Sequence, residues 1–382
     1  MTTTAPDAVL LAEIRRFVKA EVVPAAAEHE QADTYPHALV DRMAEMGLFG
    51  ATIAAEYGGA GMSVTTYARV VEELAAGWMS IAGVINSHLI LAYTIEHFGD
   101  ESQRRRLLPA LASGKRRGGL GLTEATAGSD AQAIRTRAVR DGDNYILNGS
   151  KMFITNGRYA TNLAVVAKTD PTARPAHRGM TLFNVETSAP GFTVVRDIKK
   201  LGYRGIETVE LSMDDCPVPL DDRIGEEGMG FKYVMSGLEL GRVNVAARGV
   251  GVARAAFEAS ITYAQQRETM AQPIARHQAI QLKLADMATK IEASRHLVLA
   301  AAAKKDRGER SDLEAGMAKL FASETCLEVV TEALRIHGGV GYTQDLPIER
   351  YYRDAPLMIV GEGTNEIQRL VIARQLLERY RV

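Results

Sequence analysis

Three short segments of the chain carry residue types that can do chemistry. The first, Gly121-Leu122-Thr123-Glu124-Ala125-Thr126-Ala127-Gly128-Ser129-Asp130, gathers hydroxyls, glycines and other small residues without bulk. Backbone N–H groups in such a loop can approach a planar or phosphorylated ligand closely, although a plain solvent-exposed turn has the same composition. The second, Asn148 to Gly157, reads as a β-strand between turn signals, with the Phe153 ring and the Thr155 hydroxyl on alternate residues. A strand with no further duty would look the same. The third runs from Arg353-Asp354 through the apolar Leu357 to Val360 into Gly361-Glu362-Gly363-Thr364-Asn365-Glu366-Ile367-Gln368. A carboxylate between two glycines at the end of an apolar run is free of side-chain crowding, and partial desolvation raises its proton affinity toward that of a general base. The same residues also read as a helix start, with Thr364 or Asn365 as N-cap and Glu362 as an adjacent acid.

The elements that must hold these segments fall into three blocks. From Asp7 to about Ser113 apolar residues recur at three- and four-residue spacing, as in Val9, Leu10, Ile14, Phe17, Val18 and Val22, which predicts helices. Glu56 to Ser63, with three glycines, interrupts them as a loop. From about Gly118 the pattern changes to short β-type runs, including Asn162 to Ala167, Met180 to Val185 and Ile206 to Met213, with a hairpin turn at Asp141-Gly142-Asp143-Asn144. After Gly230 the helical period returns and continues to the end. The expected domains are therefore 1–117 helical, 118–222 β and 223–382 helical, an α+β arrangement. No Gly-x-Gly-x-x-Gly follows a strand and opens a helix, which leaves a nicotinamide-binding fold little support.

Composition narrows the class. The 382 residues exceed what a single core usually serves. With 46% hydrophobic and 24% charged residues the chain reads as globular, and a net charge of -2 offers no general attraction to nucleic acid. Cys216 and Cys326 are too few for a disulfide framework and lack metal-ligand spacing, so both are expected as buried thiols, with no metal site. No apolar run approaches the length of a membrane span, and the amino terminus lacks a secretory pattern, so a cytoplasmic location is expected.

Taken together and in this order, the three segments resemble the acyl-CoA dehydrogenase family over nearly the whole chain. Leu122-Thr123-Glu124 through Gly128-Ser129-Asp130 is similar to that family's flavin loop, Lys151 to Gly157 to its second flavin strand, and Tyr352-Arg353-Asp354 through Glu362-Gly363-Thr364 to its catalytic end. The resemblance implies an amino-terminal helical domain, a middle β-barrel-like domain and a carboxy-terminal four-helix bundle. It also implies FAD as cofactor, an acyl-CoA substrate, electron-transfer flavoprotein as electron acceptor, and a homo-oligomer, usually a tetramer.

Residue by residue, the resemblance assigns Glu362 as catalytic base. Leu120, Leu122, Thr123, Ser129, Phe153, Ile154 and Thr155 would line the flavin, Phe153 standing where many relatives have tryptophan. Arg267, Thr269, His277 and Gln278 match positions that reach a neighbouring subunit's FAD, while Arg335, Gly339, Thr364, Asn365 and Glu366 match contacts to its dinucleotide end. Two departures stand out: Met270-Ala271 replaces a common Phe-Gly, and Arg335 a frequent glutamine. His337 is expected as a packed structural residue. Substrate contacts would come from Ser129, Glu239, Arg242, Gly361 and Gly363, although Glu239 and Arg242 could equally form a surface ion pair. Some relatives carry the base at the position of Gly241, and glycine accepts no proton. Gly361, where several straight-chain enzymes have tyrosine, implies room for a branch or ring near the α carbon. The expected reaction is α,β-dehydrogenation of a short- to medium-chain acyl-CoA. The alternatives are dehydrogenation of an acyl or aminoacyl group on a carrier protein, a thioester oxidase, or a helical scaffold without activity.

Overall fold

A computed structural model of the chain describes residues 5–381. Six α-helices come first: α1 (Ala5–Phe17), α2 (Val23–Ala32), α3 (His37–Glu45), α4 (Val64–Gly77), α5 (Met79–Phe98) and α6 (Glu101–Ala112). Their ends follow local capping chemistry. Ser63 accepts a hydrogen bond from the Thr66 N–H at the start of α4, and Asp100 and Gln103 form a reciprocal capping box on α6. The predicted loop at Glu56–Ser63 is present, turning at Gly58 with a positive φ. Helix α5 is apolar on nearly every side and runs through the interior, which is why it carries no amphipathic signature.

The β region contains β1 (Gly118–Gly121), β2 (Arg137–Asp141), β3 (Asn144–Thr155), β4 (Asn162–Lys168), β5 (Met180–Glu186), β6 (Phe192–Asp197), β7 (Thr208–Pro219) and β8 (Arg223–Ile224). They form one sheet in the order β6-β7-β3-β2-β4-β5-β8, with β1 parallel to β4. The hairpin expected at Asp141–Asn144 joins β2 to β3 in register. Because the end strands β6 and β8 pair only with β7 and β5 and not with each other, the barrel-like middle domain is a mixed sheet that does not close. A register shift between Lys151 and Ile154 interrupts the β3–β7 ladder, and Phe153 takes φ 61° there. Such a bulge re-aims a side chain, and Phe153 stands 58% exposed although it lies within a strand.

The chain returns to helix with α7 (Gly230–Gln266), then the small hairpin β9 (Glu268–Thr269) and β10 (Gln272–Pro273), then α8 (Gln278–Asp306), α9 (Asp312–His337), α10 (Ile348–Val360) and α11 (Asn365–Arg379). Helices α7, α8 and α9 pack on one another, α10 and α11 lie on α9, and α4 and α5 pack against α7. One apolar core thus continues from the amino-terminal helices into the carboxy-terminal bundle, while a second fills one face of the sheet. Cys216 and Cys326 are both buried and free, as the composition implied.

Polar locks join the blocks where apolar packing alone would leave them free to slide. His88 on α5 accepts from the Gly118 N–H at 2.9 Å and reaches the Phe49 carbonyl at 3.0 Å, and burial holds its ring neutral by lowering its pKa to about 4. Arg353 on α10 reaches Glu30 on α2, and its neighbour Asp354 accepts from the Tyr203 N–H at 2.6 Å. Arg353-Asp354, noticed in the sequence as part of a chemical motif, therefore ties all three blocks together.

Candidate active site

Helix α10 stops where the Gly361 N–H makes its last backbone bond, to the Leu357 carbonyl at 2.7 Å. The next two residues are left-handed, Glu362 at φ 53° and Gly363 at φ 83°. Thr364 then caps α11 by accepting from the Ile367 N–H, so the helix-start reading of this segment is also correct. Left-handed backbone at a non-glycine residue costs on the order of 1–2 kcal/mol, so something must hold it. Lys319, fully buried on α9, does so by donating to the Ile359 carbonyl at 3.0 Å, the Gly363 carbonyl at 2.9 Å and Asn365 Oδ1 at 2.8 Å. Gln368 adds a bond to the Gly363 carbonyl at 3.1 Å.

Held this way, the Glu362 side chain points back at α5 and α7. Its Oε1 accepts from Asn86 Nδ2 and lies 3.9 Å from Arg248 Nη2, while its buried Oε2 has no hydrogen-bond partner. Desolvation raises the Glu362 pKa above the ordinary 4.5; Arg248, Asn86, Lys319 and Arg242 pull in the opposite direction without cancelling it. A carboxylate so placed is more basic than one in water. The rate of any reaction that uses it as base should rise with pH along a limb above 4.5, because only the deprotonated form acts. Removing the Arg248 charge, as in Arg248→Gln, should move that limb higher still. A pH profile of kcat/KM for both proteins checks the pair, and an unmoved limb would show that Arg248 does not act on Glu362.

Gly241 on α7 faces the same carboxylate. A Cβ there would stand 2.2 Å from Glu362 Oε2 and 3.0 Å from the Ile90 methyl, so the absent side chain makes room for the base. Gly241→Ala should fold normally and displace the carboxylate, lowering kcat on the order of 10²-fold, the scale of a displacement of about 1 Å. Unchanged kcat in this variant would show that the carboxylate has another position of equal reactivity.

The first two motifs meet beside this region. Glu124 and the fully buried Lys151 form an ion pair of 2.8 Å, Lys151 also donates to the Leu122 carbonyl, and Glu124 further accepts from the N–H groups of Arg135 and Thr136. The Met152 N–H bonds the Thr123 carbonyl at 2.8 Å, and Asn156 Nδ2 ties the end of β3 to the Val84 carbonyl on α5. Leu122 and Ile154 are buried, Leu120, Thr123 and Thr155 partly exposed, and Ser129 fully exposed. Sequence reading singled out the segment but overlooked that Glu124 and Lys151 are its struts. The lone lysine in an apolar strand was the available signal, as was Lys319 in α9.

The remaining expected residues lie further out. Arg267, Thr269 and Gln278 are exposed around the β9–β10 hairpin, where the Thr269 hydroxyl meets His277 Nε2 at 3.1 Å. Both turn residues have positive φ, Met270 at 50° and Ala271 at 59°, which explains why glycine would suit the second of them. Arg335 is exposed and paired with Glu332, and Gly339 is exposed beyond the end of α9. His337 is packed, stacked on Tyr263. Glu366 is exposed and Asn365 buried against Lys319. Glu239 and Arg242 do not form a surface pair: both are buried, Glu239 bonding Lys305 at 3.0 Å and Arg242 reaching Asp312 at 3.3 Å. Among the described residues there is no metal-binding cluster and no helix long and apolar enough to cross a membrane. Sequence reading missed Asn86, Arg248 and Tyr203, because nothing in their local spacing marks them.

Comparison with known proteins finds family matches and relatives along nearly the whole chain. Residues 5–115 match the acyl-CoA dehydrogenase N-terminal domain, 119–216 the middle domain and 228–377 the C-terminal domain. The chain is 41% identical to an acyl-CoA dehydrogenase of Bacillus subtilis (strain 168), over 99% of both proteins. Its fold matches butyryl-CoA dehydrogenase from Megasphaera elsdenii with a TM-score of 0.96 at 38% identity, covering 99% of each chain. A chain from structural work on the electron transferring flavoprotein of Acidaminococcus fermentans matches as closely, with a TM-score of 0.96, 40% identity and 99% coverage of each.

Proposed function

The chain belongs to the acyl-CoA dehydrogenase family, and from that premise we propose that it removes two hydrogens from the α and β carbons of a short- to medium-chain acyl-CoA, with Glu362 as the base. It is a flavin-dependent oxidoreductase, FAD being the cofactor of this family. The residues present fit that group. The bulged strand turns Phe153 outward beside the glycine-rich loop, Thr123 and Thr155 keep their hydroxyls partly exposed, and Gly128 has open space where a side chain would begin. Leu120, Leu122, Thr123, Ser129, Phe153, Ile154 and Thr155 would hold the ring. When bound, FAD supplies the acceptor for the hydride that leaves the β carbon.

The protein's own part is acid–base chemistry and positioning. Glu362 takes the α proton, and the pair of electrons left behind becomes the new double bond as the β hydride departs. Negative charge grows on the thioester oxygen during this step, and the Glu362 backbone N–H would be the protein's donor to it. Glu239, Arg242 and Ser129 would hold the CoA arm, and Gly361 and Gly363 would contribute further substrate contacts. The single observation that carries the reading is the Glu362 carboxylate, desolvated, with a free oxygen, opposite a glycine that leaves room for it. A scaffold without activity has no reason to keep this costly arrangement.

Arg267, Thr269, His277 and Gln278 would reach a second subunit's FAD, and Arg335, Gly339, Thr364, Asn365 and Glu366 its dinucleotide end. Exposed apolar residues on the same bundle, Met270 at 90% together with Leu282, Leu370 and Leu377, support burial in a homo-oligomer, which we take to be a tetramer in the cytoplasm. Electron-transfer flavoprotein is the proposed acceptor. The deciding experiment is the visible spectrum of the purified protein during anaerobic addition of acyl-CoA thioesters. Bleaching of a flavin spectrum supports the reading. A flavin that no CoA thioester bleaches rejects it and favours a carrier-bound acyl group.

A further inference from the structure

The walls around Glu362 are not those of a purely aliphatic pocket. Helix α7 brings Gly241, Asn244 and Arg248 to one face by helical spacing, and α5 supplies Asn86 opposite. Asn244 is wholly buried, with Arg248 and Asn86 nearly so. Tyr67 accepts from Asn244 Nδ2 at 2.7 Å, and the ring of the buried Tyr203 lies 5.8 Å beneath the Arg248 guanidinium, fixing it in place. Yet Arg248 Nε has no hydrogen-bond partner, and Asn86 Oδ1 and Asn244 Oδ1 have none either. A buried polar group left without a partner costs about 1–3 kcal/mol, and a charged one more.

Among the described residues Glu362 is the only carboxylate within ion-pair distance of Arg248, at 3.9 Å. When Glu362 accepts the α proton that partner becomes neutral, and a guanidinium is left buried with no counter-charge. An arginine serving only to keep the base ionised would thus oppose proton transfer at the step where it matters. The conflict vanishes if the substrate itself brings a negative charge to Arg248.

Resting on the dehydrogenase reading above, we infer that the acyl group carries a carboxylate recognised by Arg248, so that the substrate is a short dicarboxylic monothioester. Arg248 is close enough to the base to reach a carboxylate one or two bonds beyond the β carbon, which corresponds to four- or five-carbon acyl groups. The reaction is unchanged in its balance: the α proton goes to Glu362, the β hydride to the bound flavin, and the distal carboxylate keeps its charge throughout. The free Nε then gains an acceptor, and the proton affinity of Glu362 is no longer depressed by an unbalanced cation.

The test compares succinyl-CoA and glutaryl-CoA with butyryl-CoA and 4-hydroxybutyryl-CoA, using the FAD-loaded wild-type protein and its Arg248→Gln and Arg248→Lys variants. The readouts are anaerobic flavin bleaching and, in a Glu362→Gln background that cannot turn over, the calorimetric Kd. One of the two dicarboxylic thioesters should be preferred over butyryl-CoA by on the order of 10²-fold in kcat/KM and at least about tenfold in Kd. Arg248→Gln should abolish that preference, with Arg248→Lys restoring part of it. Faster bleaching by butyryl-CoA or by 4-hydroxybutyryl-CoA in the wild type overturns the proposal, whatever the variants do. Bleaching by none of the four in a flavin-replete protein overturns the proposal; the dehydrogenase reading falls with it when no longer or branched acyl-CoA bleaches the flavin either.

Discussion

Glu362→Gln leaves a folded, flavin-binding protein whose turnover falls by roughly 10⁴-fold, the upper end of what a positioned general base contributes. Glutamine has nearly the same shape, so Asn86 still finds an acceptor and the left-handed turn clamped by Lys319 is unaltered. What disappears is the site that receives the α proton. Because the lost interaction belongs to the transition state, kcat falls while substrate affinity stays within a few-fold of wild type. Stopped-flow bleaching under anaerobic conditions gives the rate, and perturbation of the flavin spectrum gives the binding. A variant that retains even a tenth of wild-type bleaching would remove Glu362 from the role of base. Gly241, the other position at which some relatives place a base, has no side chain to replace it.

Lys319→Met produces the second large effect, on stability and rate together. The buried ammonium gathers the Ile359 and Gly363 carbonyls and Asn365 Oδ1, three acceptors on either side of the Glu362 turn. Burial lowers its pKa to about 8, which still leaves it charged near neutrality. Methionine fills similar volume but strands those acceptors, at a cost on the order of 3–5 kcal/mol. The strained conformation of Glu362 then loses its clamp, and kcat should fall about 10²-fold as the carboxylate wanders. The acid limb of the rate profile should also rise, since Lys319 is one of the charges that lower the Glu362 pKa. Thermal unfolding and kcat measured on one preparation separate the two effects. Wild-type values for both would show that the turn holds itself.

Much of the arrangement was legible in the order of residues. Helical spacing before Ser113 and after Gly230, with β-type runs between, marks the three blocks, because burial on one face imposes a period that survives in any sequence. The hairpin at Asp141–Asn144 and the cap at Thr364 were legible for the same local reason, since turn and cap chemistry act over three or four residues. Glu362 was visible because its two glycine neighbours are unusual, and its role was supported by resemblance to a family.

Tertiary structure alone decided what surrounds it. The ion pair of Glu124 with Lys151 and the locks from Arg353 to Glu30 and from Asp354 to Tyr203 join positions up to 323 residues apart, and no local pattern encodes such a partner. The open edges of the sheet follow from which strands fail to meet, and the outward turn of Phe153 from a bulge set by its neighbour strand. Arg248 looks in sequence like one more arginine on an amphipathic helix. Its significance arises only because folding buries it beside Glu362 with no other carboxylate in reach among the described residues, where low dielectric makes an unbalanced charge expensive. Sequence by itself determined the elements and singled out Glu362 as the candidate base. The packing of distant helices decided what surrounds the Glu362 carboxylate and raised its proton affinity, because the burial and the charges there come from far along the chain.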